Sequence, residues 1–222
     1  MFLTQYSLFM LSAAMVPTTE DPSASITSAS ERGHELQGAH SPVAPAKANE
    51  VVAFWQDAGP ALWFAKSPEF DRRFRERFLA LHEAAARKQH EHWLATPTGA
   101  LALCLLLDQY PRNAFRGTPR MYATDAMARS VAERAIAAGH DLSLSPELAL
   151  FLYLPFGHSE TLADQERSVA LARRLGNPDL AHAERHRDII RRFGRFPHRN
   201  AILGRNTTPE EQRYLDDGGF KG

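Results

Sequence analysis

The sequence predicts an all-α fold, an antiparallel array of about seven to nine helices, and three observations carry that expectation. The 222 residues include 34 Ala and 25 Leu against 6 Val and 5 Ile, a balance that favours helices over sheets. Beyond residue 48 a Ser, Thr or Asn is followed at once by proline six times, at Ser67-Pro68, Thr96-Pro97, Thr118-Pro119, Ser145-Pro146, Asn177-Pro178 and Thr208-Pro209. Such a side chain accepts from backbone amides that lack a helical partner, and proline suits the first helical position, where no N–H is needed. Between these starts apolar residues return at steps of three and four, and no useful stretch alternates as a strand would.

Taken in order, Val51, Val52, Phe54 and Trp55 mark a short first helix. Phe70, Phe74, Phe78 and Leu81 form one stripe, with Arg72, Arg73, Arg75 and Arg77 on the solvated face opposite. Leu101 to Leu107 is apolar on nearly every side and reads as a central buried helix. Met127, Val131 and Ala135 precede a stop at Gly139, and Ile189, Ile190 and Phe193 give the inner face of a helix from about Pro178 to Gly194. Thr208 and Glu211 complete a capping box. Pro111, Pro155 and Pro197 read as corners, so His158 and Glu160 fall at a helix start.

Residues 1–48 are different material. From Pro17 to Ala48 the chain is rich in Pro, Ser, Thr and Ala and poor in large apolar groups, which predicts a disordered extension. The apolar stretch from Leu8 to Val16 has no Lys or Arg ahead of it, the first being Arg32, so a cytoplasmic protein is expected rather than one with a secretory signal. The helical domain is expected over 49–217, with a flexible tail at 218–222.

Composition excludes several function classes. Lys plus Arg and Asp plus Glu are 26 each, so the chain is not a general polybasic binder, and nucleic acid is not the expected partner. Segment 185–205 nonetheless carries seven Arg against Asp188 alone. No apolar run approaches the roughly 20 residues a bilayer span requires. The single Cys104, set among leucines, excludes a disulfide framework and reads as an inert thiol. No phosphate-loop or dinucleotide-binding glycine string occurs, and no cofactor is expected.

Three dense polar segments interrupt the amphipathic pattern: Asp108 to Gly117, Leu154 to Gln165, and His186 to Arg205. Polar groups beside buried apolar runs must be hydrogen-bonded or serve a ligand. His158, His186 and Glu160 are the candidate catalytic residues, because imidazole exchanges protons near neutral pH and a carboxylate can orient it. Arg112, Arg116, Arg195 and Arg199 offer planar forks for a carboxylate or phosphate, with Asn113, Gln165, His198 and Asn200 as directional partners. No metal site is expected; the nearest to one would combine His158, Glu160, His186 and His198, which lack the paired helical spacing of known ligand motifs. His82, His90, His92, His140 and His182 read as surface or capping groups, and Trp55, Trp63, Phe64 and Trp93 as core.

The strings DQYPRNAFRG, ATDA, LPFGHSE followed by Gln165, and RFGRFPHRNAILGR resemble the bacterial domain-of-unknown-function family 924. The resemblance spans roughly 49–217 and implies a tetratricopeptide-repeat-like helical fold, but no reaction. Two positions depart from the family pattern: Phe54-Trp55 is followed by Gln56-Asp57, and Gly157 stands where a larger residue is common. The expected function is a helical protein binding a small anionic molecule or peptide. The alternatives are a protein- or peptide-binding scaffold whose polar cluster is purely structural, and an acid–base or metal-assisted enzyme for a small carboxylate or phosphate compound.

Overall fold

The structure, a computed structural model, describes residues 43–222. The expectations for Met1–Val16 and for most of the Pro17–Ala48 extension lie outside the described residues. Helix α1 (Ala46–Ala58) begins three residues ahead of position 49, with Ala48 already buried beside Val51, Val52 and Trp55.

A single turn, α2 (Pro60–Trp63), brings Trp63 back so that its indole N–H donates to the Trp55 carbonyl at 2.6 Å. Helix α3 (Pro68–Ala86) is capped by the Ser67 hydroxyl, which accepts from the Phe70 amide at 3.3 Å. Its Phe70, Phe74 and Phe78 are buried while Arg72, Arg73, Arg75 and Arg77 are exposed. Each buried Phe contributes about 1.5–3 kcal/mol over leaving it in water, so this face anchors the helix. Trp93 also enters the core, whereas Phe64 is 61% exposed.

The buried centre is one continuous rod: α4 (Pro97–Cys104), a π-helical turn (Leu105–Gln109) and α5 (Tyr110–Ala114). The π turn has a local cause. Pro111 has no amide proton, and within the turn the Tyr110 N–H reaches the Leu105 carbonyl, one residue further back than in an α-helix. Side chains take the backbone carbonyls left over. Leu106 accepts from His82 Nδ1 at 2.9 Å, Leu107 from the Thr124 hydroxyl, and Asp108 from Arg112 Nη1 at 2.7 Å. His82 is therefore a buried residue, not a surface one, because the widened turn supplies it with an acceptor.

The chain then stacks α6 (Asp125–Ala137), α7 (Pro146–Gly157), α8 (Leu162–Ala172) and α9 (Asp179–Phe193), each against the one before, and ends in α10 (Pro209–Asp216). Counting the rod as one, the described residues form nine α-helices and no strand. Short connections between neighbours make this an all-α helical array. Among the described residues no helix is long and apolar enough to cross a membrane.

Two proline assignments differ from expectation. Pro155 lies inside α7, near its end, where losing one backbone bond is tolerated, so His158 closes a helix instead of opening one. Pro111 likewise sits within the rod. At Asn177-Pro178 the peptide is cis and α9 starts at Asp179, without a side-chain cap. The other five capping dipeptides do open α-helices or 3₁₀ turns, and Thr208 with Glu211 forms the complete capping box.

Residues 218–222 fold back on the domain. Gly219 lies so close to the Tyr214 carbonyl and ring that a Cβ would overlap them, and the Phe220 amide donates to the Tyr214 hydroxyl at 2.9 Å. Phe220 thereby packs with Ile189, Ile190 and Phe196.

Candidate functional site

The π turn directs Asp108 into the protein, where it has no exposed surface. Its Oδ1 accepts from His158 Nδ1 at 2.8 Å and lies 3.1 Å from Arg112 Nη1, while Oδ2 accepts from Gln109 Nε2 at 2.6 Å. Burial alone would raise the Asp108 pKa, but the Arg112 charge and the His158 contact outweigh it and hold the carboxyl below its usual range. Arg112 spans outward to Asp125 at the start of α6, donating through both terminal nitrogens at 2.9 and 3.0 Å. This bidentate geometry is the strong form of an arginine–carboxylate pair.

His158 reaches Asp108 because α7 ends at Gly157 and the chain turns sharply there. Gln165 holds that turn from α8: its amide donates to the carbonyls of Gly157 at 2.8 Å and Ser159 at 2.6 Å. Gly157 packs tightly, with Ser168 Oγ 3.0 Å from where a Cβ would lie. Burial and then Arg112 lower the His158 pKa, so the ring is neutral at pH 7. An ionised Asp108 only accepts, so Nδ1 carries the proton and Nε2 is left with a lone pair.

Arg199 closes the cluster from the 3₁₀ turn Pro197–Arg199. Its guanidinium lies between the rings of Tyr122, 4.6 Å away, and Phe196, 4.4 Å away. The residue is only 6% exposed, yet its buried Nε has no hydrogen-bond partner among the described residues. Its carboxylate neighbour, Asp125 Oδ2, is 3.8 Å from Nη1, beyond hydrogen-bond reach. His186 and His198 lie alongside, each in contact with the Phe196 and Phe220 rings at centroid distances of 4.7–5.5 Å. Burial pushes His186 down to about 3 and His198 to about 4, with the Arg199 charge acting in the same direction. His198 Nδ1, Arg199 Nε, Asn200 Oδ1 and Arg205 Nε are all buried and without a partner among the described residues.

Residues 51–219 match the family described as bacterial protein of unknown function (DUF924). The chain belongs to that family. Its fold is similar to that of a protein of unknown function from Agrobacterium tumefaciens, ATU0120, with 54% sequence identity and a TM-score of 0.77, covering 78% of this chain and 98% of the other. No curated protein matches the chain.

In this DUF924 protein the candidate residues divide into groups. His158, His186, His198, Arg112 and Arg199 come together. Glu160 is nearby but tied down: Arg205 donates to it through both terminal nitrogens, at 2.7 and 3.0 Å, and the Phe196 amide donates at 2.8 Å. Gln165 supports the loop. Arg195 and Asn200 donate instead to Glu211, the capping-box carboxylate of α10. Asn113 and Arg116 lie elsewhere, in an open groove of about 260 Å³ lined also by Arg72 and Arg75, where Arg116 is paired with Asp71 at 3.0 Å. A second open groove, of about 360 Å³, is lined by Arg192, Arg213 and Tyr214 and by none of the candidate residues. Among the described residues no three His, Cys, Asp or Glu side chains gather as a metal would require. Sequence reasoning left Tyr122, Asp125, Phe196 and Arg205 out of the candidate set. Asp125 was within reach, since it stands in the ATDA string of the family resemblance. Tyr122 carries no local signal.

Proposed function

We propose that this DUF924 protein binds a small oxyanion, a carboxylate or phosphate-type group, at Arg199, with Arg112 and the three imidazoles as its surroundings. One observation carries the reading: Arg199 is buried and charged, its Nε has no hydrogen-bond partner among the described residues, and its nearest carboxylate oxygen there stands 3.8 Å off. Leaving a charged donor buried and unpaired costs several kcal/mol by the usual order of magnitude, and an anion on its open edge removes that cost. Stacking between Tyr122 and Phe196 fixes the guanidinium plane in advance, so little ordering entropy is lost on binding.

A wholly structural network accounts well for Glu160 with Arg205 and for Arg195 with Glu211, where each guanidinium donates twice to its carboxylate. It does not account for Arg199. A second reading, that the ligand is also transformed, draws on the Asp108–His158 pair, in which a carboxylate fixes an imidazole and leaves Nε2 as a base.

The test is titration calorimetry of the full chain with sulfate, inorganic phosphate and acetate at matched ionic strength. Binding of at least one anion with a stoichiometry of one site per chain, lost in Arg199→Gln, is the expected result. Equal behaviour of the two proteins toward all three would defeat the proposal.

A further inference from the structure

The cluster contains three guanidinium groups and three carboxylates. Arg112 is matched by Asp125 and Arg205 by Glu160, each through two hydrogen bonds. That leaves Arg199 and Asp108, which do not touch; Asp108 is satisfied by Arg112, Gln109 and His158. With neutral imidazoles the buried charges sum to zero. Among the described residues Arg199 Nε therefore lacks an acceptor, while the site as a whole has no excess positive charge.

An anion entering such a place makes it net negative in a low-dielectric surrounding, which is costly unless a compensating charge enters too. The imidazoles are the groups that can supply it. His186 and His198 are poor choices, because each is pressed against the phenyl rings of Phe196 and Phe220. His158 is the better choice: Asp108 already sits 2.8 Å from its Nδ1, ready to stabilise an imidazolium, and Nε2 has no partner among the described residues. The groups facing it are Asp108 from the π turn, Arg112 from α5, Asp125 from α6, and His186 and His198 from the segments beyond α8. Of these Arg112 opposes the added charge and the two carboxylates favour it.

We infer that the site takes up its anion together with one proton, received at Nε2 of His158, which offsets one of the charges that the ligand brings. The balance is simple: the anion and a solvent proton enter, the N–H bond forms at Nε2, and no other bond changes. This rests on the reading that Arg199 receives an anion.

Sulfate is the probe, because it does not itself titrate near neutral pH. Calorimetric titration of the full wild-type chain, in buffers of different ionisation heat at one pH and ionic strength, reads the protons taken up per sulfate bound. Uptake approaching one proton is expected at pH 7.5, with affinity falling up to about tenfold per pH unit as pH rises further. The His158→Gln variant, which keeps a donor for Asp108, is expected to bind sulfate more weakly, without proton uptake and with a flat pH profile. Sulfate binding by the wild type with no proton uptake overturns the inference and leaves the anion site standing. Unchanged uptake in His158→Gln overturns the assignment to His158. Absence of any anion binding defeats both, and is recognised because Arg199→Gln then behaves as wild type.

Discussion

The carboxylate of Asp108 and the imidazole of His158, fifty residues apart in sequence, meet at 2.8 Å in the interior. Their meeting depends on two irregularities, the π turn that carries Asp108 inward and the sharp exit from α7 that carries His158 toward it. Asp108→Asn removes the charge that offsets Arg112 and holds His158. The expected loss is about 3 kcal/mol, the order found when one partner of a buried ion pair is removed, measured by urea unfolding at pH 7. The His158 ring should also lose its single tautomer, visible in its nitrogen NMR shifts. An unchanged midpoint with one tautomer retained would show that the pair positions nothing.

Glu160 is expected to behave as a strut. With Arg205 and the Phe196 amide both donating to it, Glu160→Gln keeps the shape but weakens the Arg205 pair. Stability is expected to fall by about 1–3 kcal/mol, while sulfate affinity stays within about threefold of wild type, a change of about 0.65 kcal/mol. Loss of anion binding at full stability would instead place Glu160 at the ligand.

Acid sensitivity follows from the two buried imidazoles. His186 and His198 have an ordinary value of 6.5 in the unfolded chain and fall to about 3 and about 4 when folded. Between those limits only the unfolded chain gains the protons. Their contribution to stability is therefore constant above pH 6.5 and declines as pH drops below it, by about 1.4 kcal/mol per pH unit for each fully shifted imidazole. The decline from His198 ends near pH 4 and that from His186 near pH 3. Asp108 and Glu160, also held below their ordinary values, add to the loss at lower pH. Urea midpoints from pH 8 to pH 4.5 should be level at first and then fall from about pH 6.5, and His186→Gln should flatten the slope. A level profile down to pH 5 would contradict the buried neutral state.

Phe220 covers both of these rings. Phe220→Ala is expected to admit water to His186 and His198, raising both pKa values toward 6.5, with a stability loss of about 1–3 kcal/mol. Proton NMR titration of the imidazole Cε1–H signals reads the change. Signals that titrate identically in the two proteins would mean that the tail is not part of the site's wall.

Much of the fold was legible in the sequence because its signals are local. The Phe70, Phe74 and Phe78 stripe, the Thr208 and Glu211 capping box and the Gly194 stop each act within a turn or two. Pro155 and Pro111 misled because a proline disfavours helix locally, while α7 and the buried rod are held by packing that outweighs one lost bond. The candidate site was legible only in outline. Arg112, His158, His186 and Arg199 stood out as polar residues beside apolar runs, but which of them meet is set by contacts dozens of residues apart. Asn113 lies one residue from Arg112 yet serves a different groove, because successive residues on a helix point about 100° apart. Arg195 and Asn200 flank Arg199 and are spent on Glu211, a partner that nothing in their own neighbourhood announces.

The central claim is that Arg199 is held open for an anion, and unfolding of wild type and Arg199→Met by urea, with and without millimolar sulfate, tests it most directly. The predicted result is a variant at least as stable as wild type without sulfate, since a buried unpaired charge has been replaced by an apolar chain of similar reach, and sulfate raising the midpoint of the wild type alone. A variant that loses about 2 kcal/mol or more, with sulfate acting equally on both proteins, would contradict it and make Arg199 part of the scaffold.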